Sequence, residues 1–237
     1  MIDVLNNIVS SNGYKLVDAD FSLDIAVIYL FCPIDKSKRE EYFVTMQFNN
    51  QCDETAEKLL EVKAEELFEK ISHSKKVDIS FEKNCTMLIC QDEDKISREI
   101  ILALEEDQYN FKKNVIAYSQ QELDSAKNYL DKNKISEITS GVINEIINSN
   151  DGKLFLEFKY QHKSKRDYYS LMLKIVLKLP FITYRPQDQQ LVNLSHEIES
   201  SLTSEQYLIY DQLVNSDMEW KDEDFYQKVE KVWGGLG

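Results

Sequence analysis

The sequence has little glycine and little proline, with six glycines and three prolines among 237 residues. Three of the glycines stand at the end of the chain, so only Gly13, Gly141 and Gly152 are left for its body. Loops that bind phosphate need clustered glycines, because the backbone N–H groups must approach the ligand closely. The chain has neither a G-x-G-x-x-G nor a G-x-x-x-x-G-K-[ST] pattern, which argues against an ATPase, a kinase or a classical Rossmann protein.

Long apolar runs are also missing. The longest is Ile25 to Pro33, well below the roughly 20 residues that a membrane-spanning helix needs. The segment Met1 to Asn7 has no basic cluster and no long apolar stretch, so we expect no secretory signal. The cysteines lie in or beside apolar segments, as is typical of reduced thiols; they are Cys32, Cys52, Cys85 and Cys90. We therefore expect a cytoplasmic protein that does not bind a membrane.

Basic residues are few and unevenly placed in this acidic chain, whose formal net charge is −14. The stretch from Lys153 to Arg185 has eight basic and two acidic residues, so it carries +6 and leaves −20 for the rest. From Asp188 onward there are eleven acidic and three basic residues. The sequence therefore predicts one basic surface on a protein that nucleic acid repels as a whole.

Apolar periodicity predicts an α+β protein, with a mostly antiparallel N-terminal sheet, helices, and a helical C-terminal part. Helices are expected at 2–10, 53–71, 119–130, 135–147, 168–179, 204–214 and 222–232, and Ser119 with Glu122 forms a capping-box pattern. Strands are expected at 24–32, 42–48, 77–81, 85–91 and 153–160, and 97–104 fits either type. We divide the chain into an α+β core over 1–185 and an acidic helical extension over 186–237.

One candidate for catalysis is a set of three residues, Asp151, Glu157 and Lys159. Carboxylates and a lysine in a D…E-x-K pattern on adjoining strands can hold Mg²⁺ and stabilise charge at a phosphate. An alternating strand also needs polar residues on its wet face, so the pattern alone is not specific. A divalent-metal nuclease is therefore the enzyme alternative.

Other chemistry has less support in the sequence. Cys85 and Cys90 are five residues apart, which places them on opposite faces of a strand, where they cannot share a metal. The three histidines are scattered and there is no G-x-S-x-G pattern for a nucleophile. We expect no cofactor and no metal site.

Two segments could bind partners. Lys163, Lys165 and Arg166 lie in a predicted loop of the basic stretch, where they could contact DNA phosphates or an acidic protein surface. In the acidic C-terminal segment, the aromatic residues Trp220, Phe225 and Trp233 could anchor an interface or pack back on the core.

The residues 105–119, EEDQYNFKKNVIAYS, resemble the pattern E-[ED]-D-x-Y-x-F-K-K-x-V-x-x-Y-[ST]. This pattern is similar to the middle components of ABC-three-component bacterial defence systems, particularly the small subunit of Lamassu-type systems. Lys178-Leu179-Pro180-Phe181 after an apolar stretch, followed by an acidic helical C-terminus, also fits that family in order. By this resemblance, Tyr109, Phe111, Lys112 and Lys113 are expected to be structural or interface residues.

The resemblance implies a non-catalytic subunit that joins an SMC-like ATPase, which senses DNA, to an effector that is often a nuclease. It would restrain the effector in an antiphage or antiplasmid complex until foreign DNA is sensed. DNA contact through 153–185, within the complex, is a further alternative.

Overall fold

The computed structural model describes residues 1–161, 165–185 and 201–214. The chain divides into two compact units, Met1–Arg185 and Pro186–Gly237. The α-helices of the first unit are α1 Ile2–Ser10, α2 Asp53–Lys58, α3 Ala64–Ser72, α4 Arg98–Glu106, α5 Gln120–Lys132, α6 Ser140–Ile147, α7 Lys153–Gln161 and α8 Tyr168–Val176. Its strands are β1 Tyr14–Leu16, β2 Ala26–Pro33, β3 Tyr42–Phe48, β4 Cys85–Asp92 and β5 Lys112–Tyr118.

The described strands form one five-stranded sheet in the order β1-β2-β3-β4-β5. The first three pair antiparallel, and β3, β4 and β5 pair parallel to one another. The parallel connections carry helices, α2 and α3 before β4 and α4 before β5, as a parallel crossover requires. The α+β class predicted from the sequence is confirmed, and the sheet is mixed in direction.

Helices cover both faces of the sheet. On one face, α1, α5, α6 and α8 bury a core that includes Phe43, Leu88 and Ile116. On the other face, α2, α3 and α4 bury a second core that includes Val44, Met87 and Val115. Neighbouring residues of β3 and β4 alternate between these two cores, so these two strands are buried on both sides, as their nearly continuous apolar sequences indicate.

Local signals fix several helix ends. Ser119 accepts a hydrogen bond from the Glu122 backbone N–H at 3.2 Å, and Glu122 accepts one from the Ser119 backbone N–H at 2.9 Å, so the capping box is confirmed. The helix predicted over 53–71 is present, and five residues of π-helix, Leu59–Lys63, separate α2 from α3. The segment 97–104, which fits either type, is helix α4, with Ser97 as its N-cap.

Two predicted strands are wrong. The segment 77–81 is a turn, in which Asp78 accepts hydrogen bonds from the Ser80 and Phe81 backbone N–H groups at 3.1 Å, through its side chain and its carbonyl respectively. The segment 153–160 is helix α7, since Leu154 and Phe158, four residues apart, share the side that packs on the first core. No described helix has the length and apolar character needed to span a membrane.

In the second unit, the predicted helix at 204–214 is confirmed as Ser204–Val214. The helix predicted at 222–232 lies outside the described residues, and the acidic helical extension over 186–237 as a whole stays a prediction.

Candidate interaction site

The 105–113 motif forms one corner of the sheet. It runs from the end of α4 through a short loop into β5. The strands β3, β4 and β5 run parallel and begin at the same end of the sheet, which we call the amino edge. There the motif lines a cleft of 420 Å³. The lining residues are Glu82, Lys83, Cys85, Glu105, Asp107, Gln108, Asn110, Phe111, Lys112 and Lys113.

A buried lysine holds the loop closed. The Lys113 side chain is 0% exposed, and its Nζ lies 2.6 Å from Asp107 Oδ2. Nζ also donates to the Tyr109 carbonyl at 2.8 Å. A buried ammonium is stable only when it is paired and hydrogen-bonded, and Asp107 and the loop backbone provide both. Asn110, at φ +64°, makes the tight turn, a conformation that asparagine tolerates better than most residues.

Glu105 covers the outer edge of β5. Its Oε1 accepts the Val115 backbone N–H at 2.9 Å and the Lys178 Nζ at 2.6 Å. Asn114 Nδ2 donates to the Lys178 carbonyl at 2.9 Å. These bonds tie α4 and β5 to the residues that follow α8. The Glu105 contact also satisfies the Val115 N–H, on a strand edge that could otherwise pair with another chain.

The two aromatic residues of the motif have opposite environments. Phe111 is buried in the second core, where its ring lies 5.3 Å from Phe68 and 6.2 Å from Phe81, both edge to face. Tyr109 is 81% exposed, and Lys112 is exposed beside it. Phe111 and Lys113 therefore hold the loop, while Tyr109 and Lys112 are presented to solvent.

Four of the eight basic residues of the stretch have acidic partners within the chain. Lys165 lies 2.5 Å from Glu157, and Arg166 lies 3.1 Å from Glu93. Lys174 lies 2.9 Å from both Glu93 and Glu122, and Lys178 pairs with Glu105. Of the three loop residues proposed to contact DNA or an acidic partner, Lys165 and Arg166 thus have partners in the chain, and Lys163 lies outside the described residues, as do Trp220, Phe225 and Trp233.

The Lys174 contacts were not evident from the sequence. Glu122, which the capping-box pattern assigns only to the helix end, is buried and also accepts the Ser170 hydroxyl at 2.7 Å. It joins α5 to α8, whose aromatic residues Tyr129 and Tyr168 stack at 4.1 Å. Helical spacing within α8 places Ser170 and Lys174 on one side, but only the tertiary packing brings Glu93 and Glu122 to them.

The proposed nuclease residues do not have the arrangement from which they were inferred. Glu157 and Lys159 lie on a helix, where residues two positions apart are separated by about 200° around the axis. The two side chains therefore project from opposite sides of it. Glu157 pairs with Lys165, and Asp151 belongs to the turn of 3₁₀ helix, Ser149–Gly152, that precedes α7. Within the described residues, no group of three or more histidine, cysteine, aspartate or glutamate side chains is placed to hold a metal ion.

The four cysteines are unpaired thiols. Cys85 faces the second core and Cys90 the first, so the prediction that they lie on opposite faces is confirmed. Burial raises the pKa of the Cys90 thiol to about 12 and raises the pKa of Cys85 well above its usual value. Cys52, at the start of α2, is only half-buried.

These environments predict the order of cysteine alkylation, because the thiolate is the reactive form. At pH 8 we expect iodoacetamide to label Cys52 first and to leave Cys85 and Cys90 unlabelled in the folded chain. Peptide mapping by mass spectrometry measures this, and labelling in denaturant, where all four should react, is the control. Equal rates at Cys52 and Cys90 in the folded chain would contradict the described packing.

The part of the chain from β3 through α6 contains the motif, the cleft and Glu122, whose partners Ser170 and Lys174 follow in α8. Residues 41–146 match the family model of the ABC-three component (ABC-3C) system Middle Component 1. No curated protein and no solved structure is significantly similar to the chain.

The match covers less than half of the chain. It supports the resemblance of the chain to a middle component of an ABC-three-component system. A middle component of such a system implies partner subunits from the same system. It includes all of 105–113 and ends before the basic stretch at 153–185.

Proposed function

We propose that this protein is a non-catalytic bridging subunit of an antiphage or antiplasmid complex. It links an SMC-like ATPase, which senses DNA, to a nuclease-type effector, and it restrains the effector until foreign DNA is sensed. The match of residues 41–146 to a middle component supports the bridging role. The similarity of 105–119 to the small subunit of Lamassu-type systems supports the choice of these two partners.

The observation that carries the proposal is the fixed presentation of Tyr109. The buried Lys113, the Asp107 carboxylate and the buried Phe111 ring hold the loop, while the Tyr109 side chain is 81% exposed. Tyrosine is enriched among the residues that dominate binding energy at protein interfaces. An anchor on a loop that is already ordered loses little conformational freedom on binding. The amino edge is therefore suited to hold a protein partner.

The test is co-expression of the tagged chain with the genes beside it, followed by affinity purification and native mass spectrometry. We expect the ATPase and the effector to be recovered with it. The Tyr109→Glu variant should lose at least one of them, because it places a charge where the complex would bury an aromatic ring. Its melting temperature should stay within about 2 °C of the parent, since Tyr109 is exposed in the chain itself. Val62→Glu, which alters an exposed apolar residue on the π-helical segment, is the matched control and should retain both.

Recovery of the unmodified chain as a lone monomer or homodimer would overturn the bridging proposal. Unchanged recovery of both partners with Tyr109→Glu would show that the amino edge is not the binding surface.

The non-catalytic part of the proposal has its own test. The purified chain and its Glu157→Ala variant are compared for Mg²⁺-dependent cleavage of DNA. We expect neither to cleave, because Glu157 is engaged with Lys165 and lies on a helix. Cleavage by the parent that is lost in the folded variant would establish the nuclease alternative.

A further inference from the structure

Helix α7 has an unusual outward surface. Phe155, Leu156 and Tyr160 are 47%, 52% and 79% exposed. Lys153 and Lys159 are exposed beside them. These five residues, which we call the α7 face, combine three large apolar side chains with two positive charges.

Helix geometry places the α7 face on one side. Successive residues are about 100° apart around the axis, so all five lie within roughly 160°. Leu154 and Phe158 lie on the other side, packed against the first core. Glu157, the one acidic residue of α7, lies at the margin and pairs with Lys165. The α7 face therefore has no carboxylate of its own.

The two lysines of the α7 face differ from the other basic residues around them. Lys165, Arg166, Lys174 and Lys178 all have acidic partners within the chain. Neither Lys153 nor Lys159 makes an ion pair with any residue that the structure describes. Their charge is available to an outside partner, on a protein that is otherwise strongly acidic.

We propose that the α7 face docks an acidic amphipathic helix of a partner protein. Such a helix lays apolar side chains against Phe155, Leu156 and Tyr160, while its carboxylates pair with Lys153 and Lys159. A nucleic acid backbone would use the lysines but would leave Leu156 without an apolar contact. This inference rests on the bridging function proposed above, and it assigns to one partner a surface distinct from the amino edge.

The experiment uses the complex of the full chain with the ATPase and effector subunits encoded beside it. A photo-crosslinking amino acid replaces Tyr160, and a second preparation carries it at Val62 as the control. Mass spectrometry then identifies the peptide joined to each position. We expect position 160 to join a peptide from an acidic amphipathic helix of one partner subunit, and position 62 to join none.

Affinity measurements on the same purified subunits provide a second readout. We expect the Leu156→Ala and Tyr160→Ala variants each to weaken binding of the crosslinked subunit by about 30-fold, the 2 kcal/mol of an interface hot spot at 1.4 kcal/mol per tenfold. The double variant Lys153→Glu with Lys159→Glu should weaken it further at low salt. The control is Lys58→Glu with Lys76→Glu, which makes the same charge change at exposed lysines, one in α2 and one just after α3.

The outcomes separate this inference from the bridging proposal. An intact complex with no crosslink at position 160 and unchanged affinity overturns the inference alone. A crosslink to a second copy of this chain, or to DNA, also overturns it. Failure of the unmodified chain to bind either subunit overturns both.

Discussion

Replacing Asp107 with alanine is expected to lower the free energy of unfolding by about 3–5 kcal/mol, the usual cost of removing one partner of a buried ion pair. The Lys113 side chain is wholly buried, and Asp107 Oδ2 lies 2.6 Å from its Nζ. The variant leaves a positive charge inside the protein with only backbone carbonyls as partners. The effect is large because the Lys113 ammonium then has no counter-charge, and it can reach water only if the loop opens.

Urea denaturation followed by circular dichroism measures the change. Asp107→Ala combined with Lys113→Met should recover much of the loss, since the double variant has no unpaired charge. Asp131→Ala, at an exposed aspartate of α5, is the control and should stay within about 0.5 kcal/mol of the parent. A loss below about 1 kcal/mol for Asp107→Ala would mean that Lys113 is not buried as described.

Replacing Phe111 with alanine is expected to lower the free energy of unfolding by about 3–5 kcal/mol. The mechanism is different, because this variant loses buried ring surface and leaves a cavity. Phe111 is 1% exposed, and its ring contacts the rings of Phe68 and Phe81. These neighbours lie on α3 and on the turn before β4, so the cavity lies where separate elements meet.

Tyr109→Ala is the matched control, because it removes an aromatic ring two residues away in the same loop. Tyr109 is largely exposed, so its loss should change the unfolding free energy by no more than about 0.5 kcal/mol. Thermal and urea denaturation of the two variants give the comparison directly. Similar losses in both would contradict the opposite environments of the two rings.

Local patterns in the sequence predicted much of the fold. The helix Ile2–Ser10, the strand Tyr42–Phe48 and the capping box at Ser119 are all present with the predicted bounds or contacts. Each depends on residues that are neighbours in the chain, and local spacing is enough to specify it.

The wrong predictions come from segments that are ambiguous at short range. In 153–160, apolar residues at every second position fit a strand, but Leu154 and Phe158 also fit one side of a helix. In 77–81, apolar residues around Asp78 suggested a strand of an antiparallel pair, although the Asp78 side chain stabilises a turn there. Without that strand, β4 pairs parallel to β3, and only long-range packing decides this.

The candidate site was predicted in composition but not in arrangement. The motif contained the residues of the loop, yet nothing in it separates the exposed Tyr109 from the buried Phe111. A lysine is rarely buried, so the role of Lys113 depends on Asp107 reaching it from six residues away. The ion pairs that neutralise Lys174 and Lys178 join residues more than 50 positions apart, which no local pattern reveals.

The strand order has a consequence for how the chain folds during synthesis. Every strand pairs with its neighbour in the sequence, so the sheet can form progressively and is complete once Tyr118 has left the ribosome. Helix α1 and the turn after it are different, because Asn7 and Asn12 bond to the backbone of Ser136, Ile138 and Ser140, about 130 residues later. The first helix to be made therefore waits for the segment that leads into α6 before its packing is finished, and one face of the sheet is not fully covered until then.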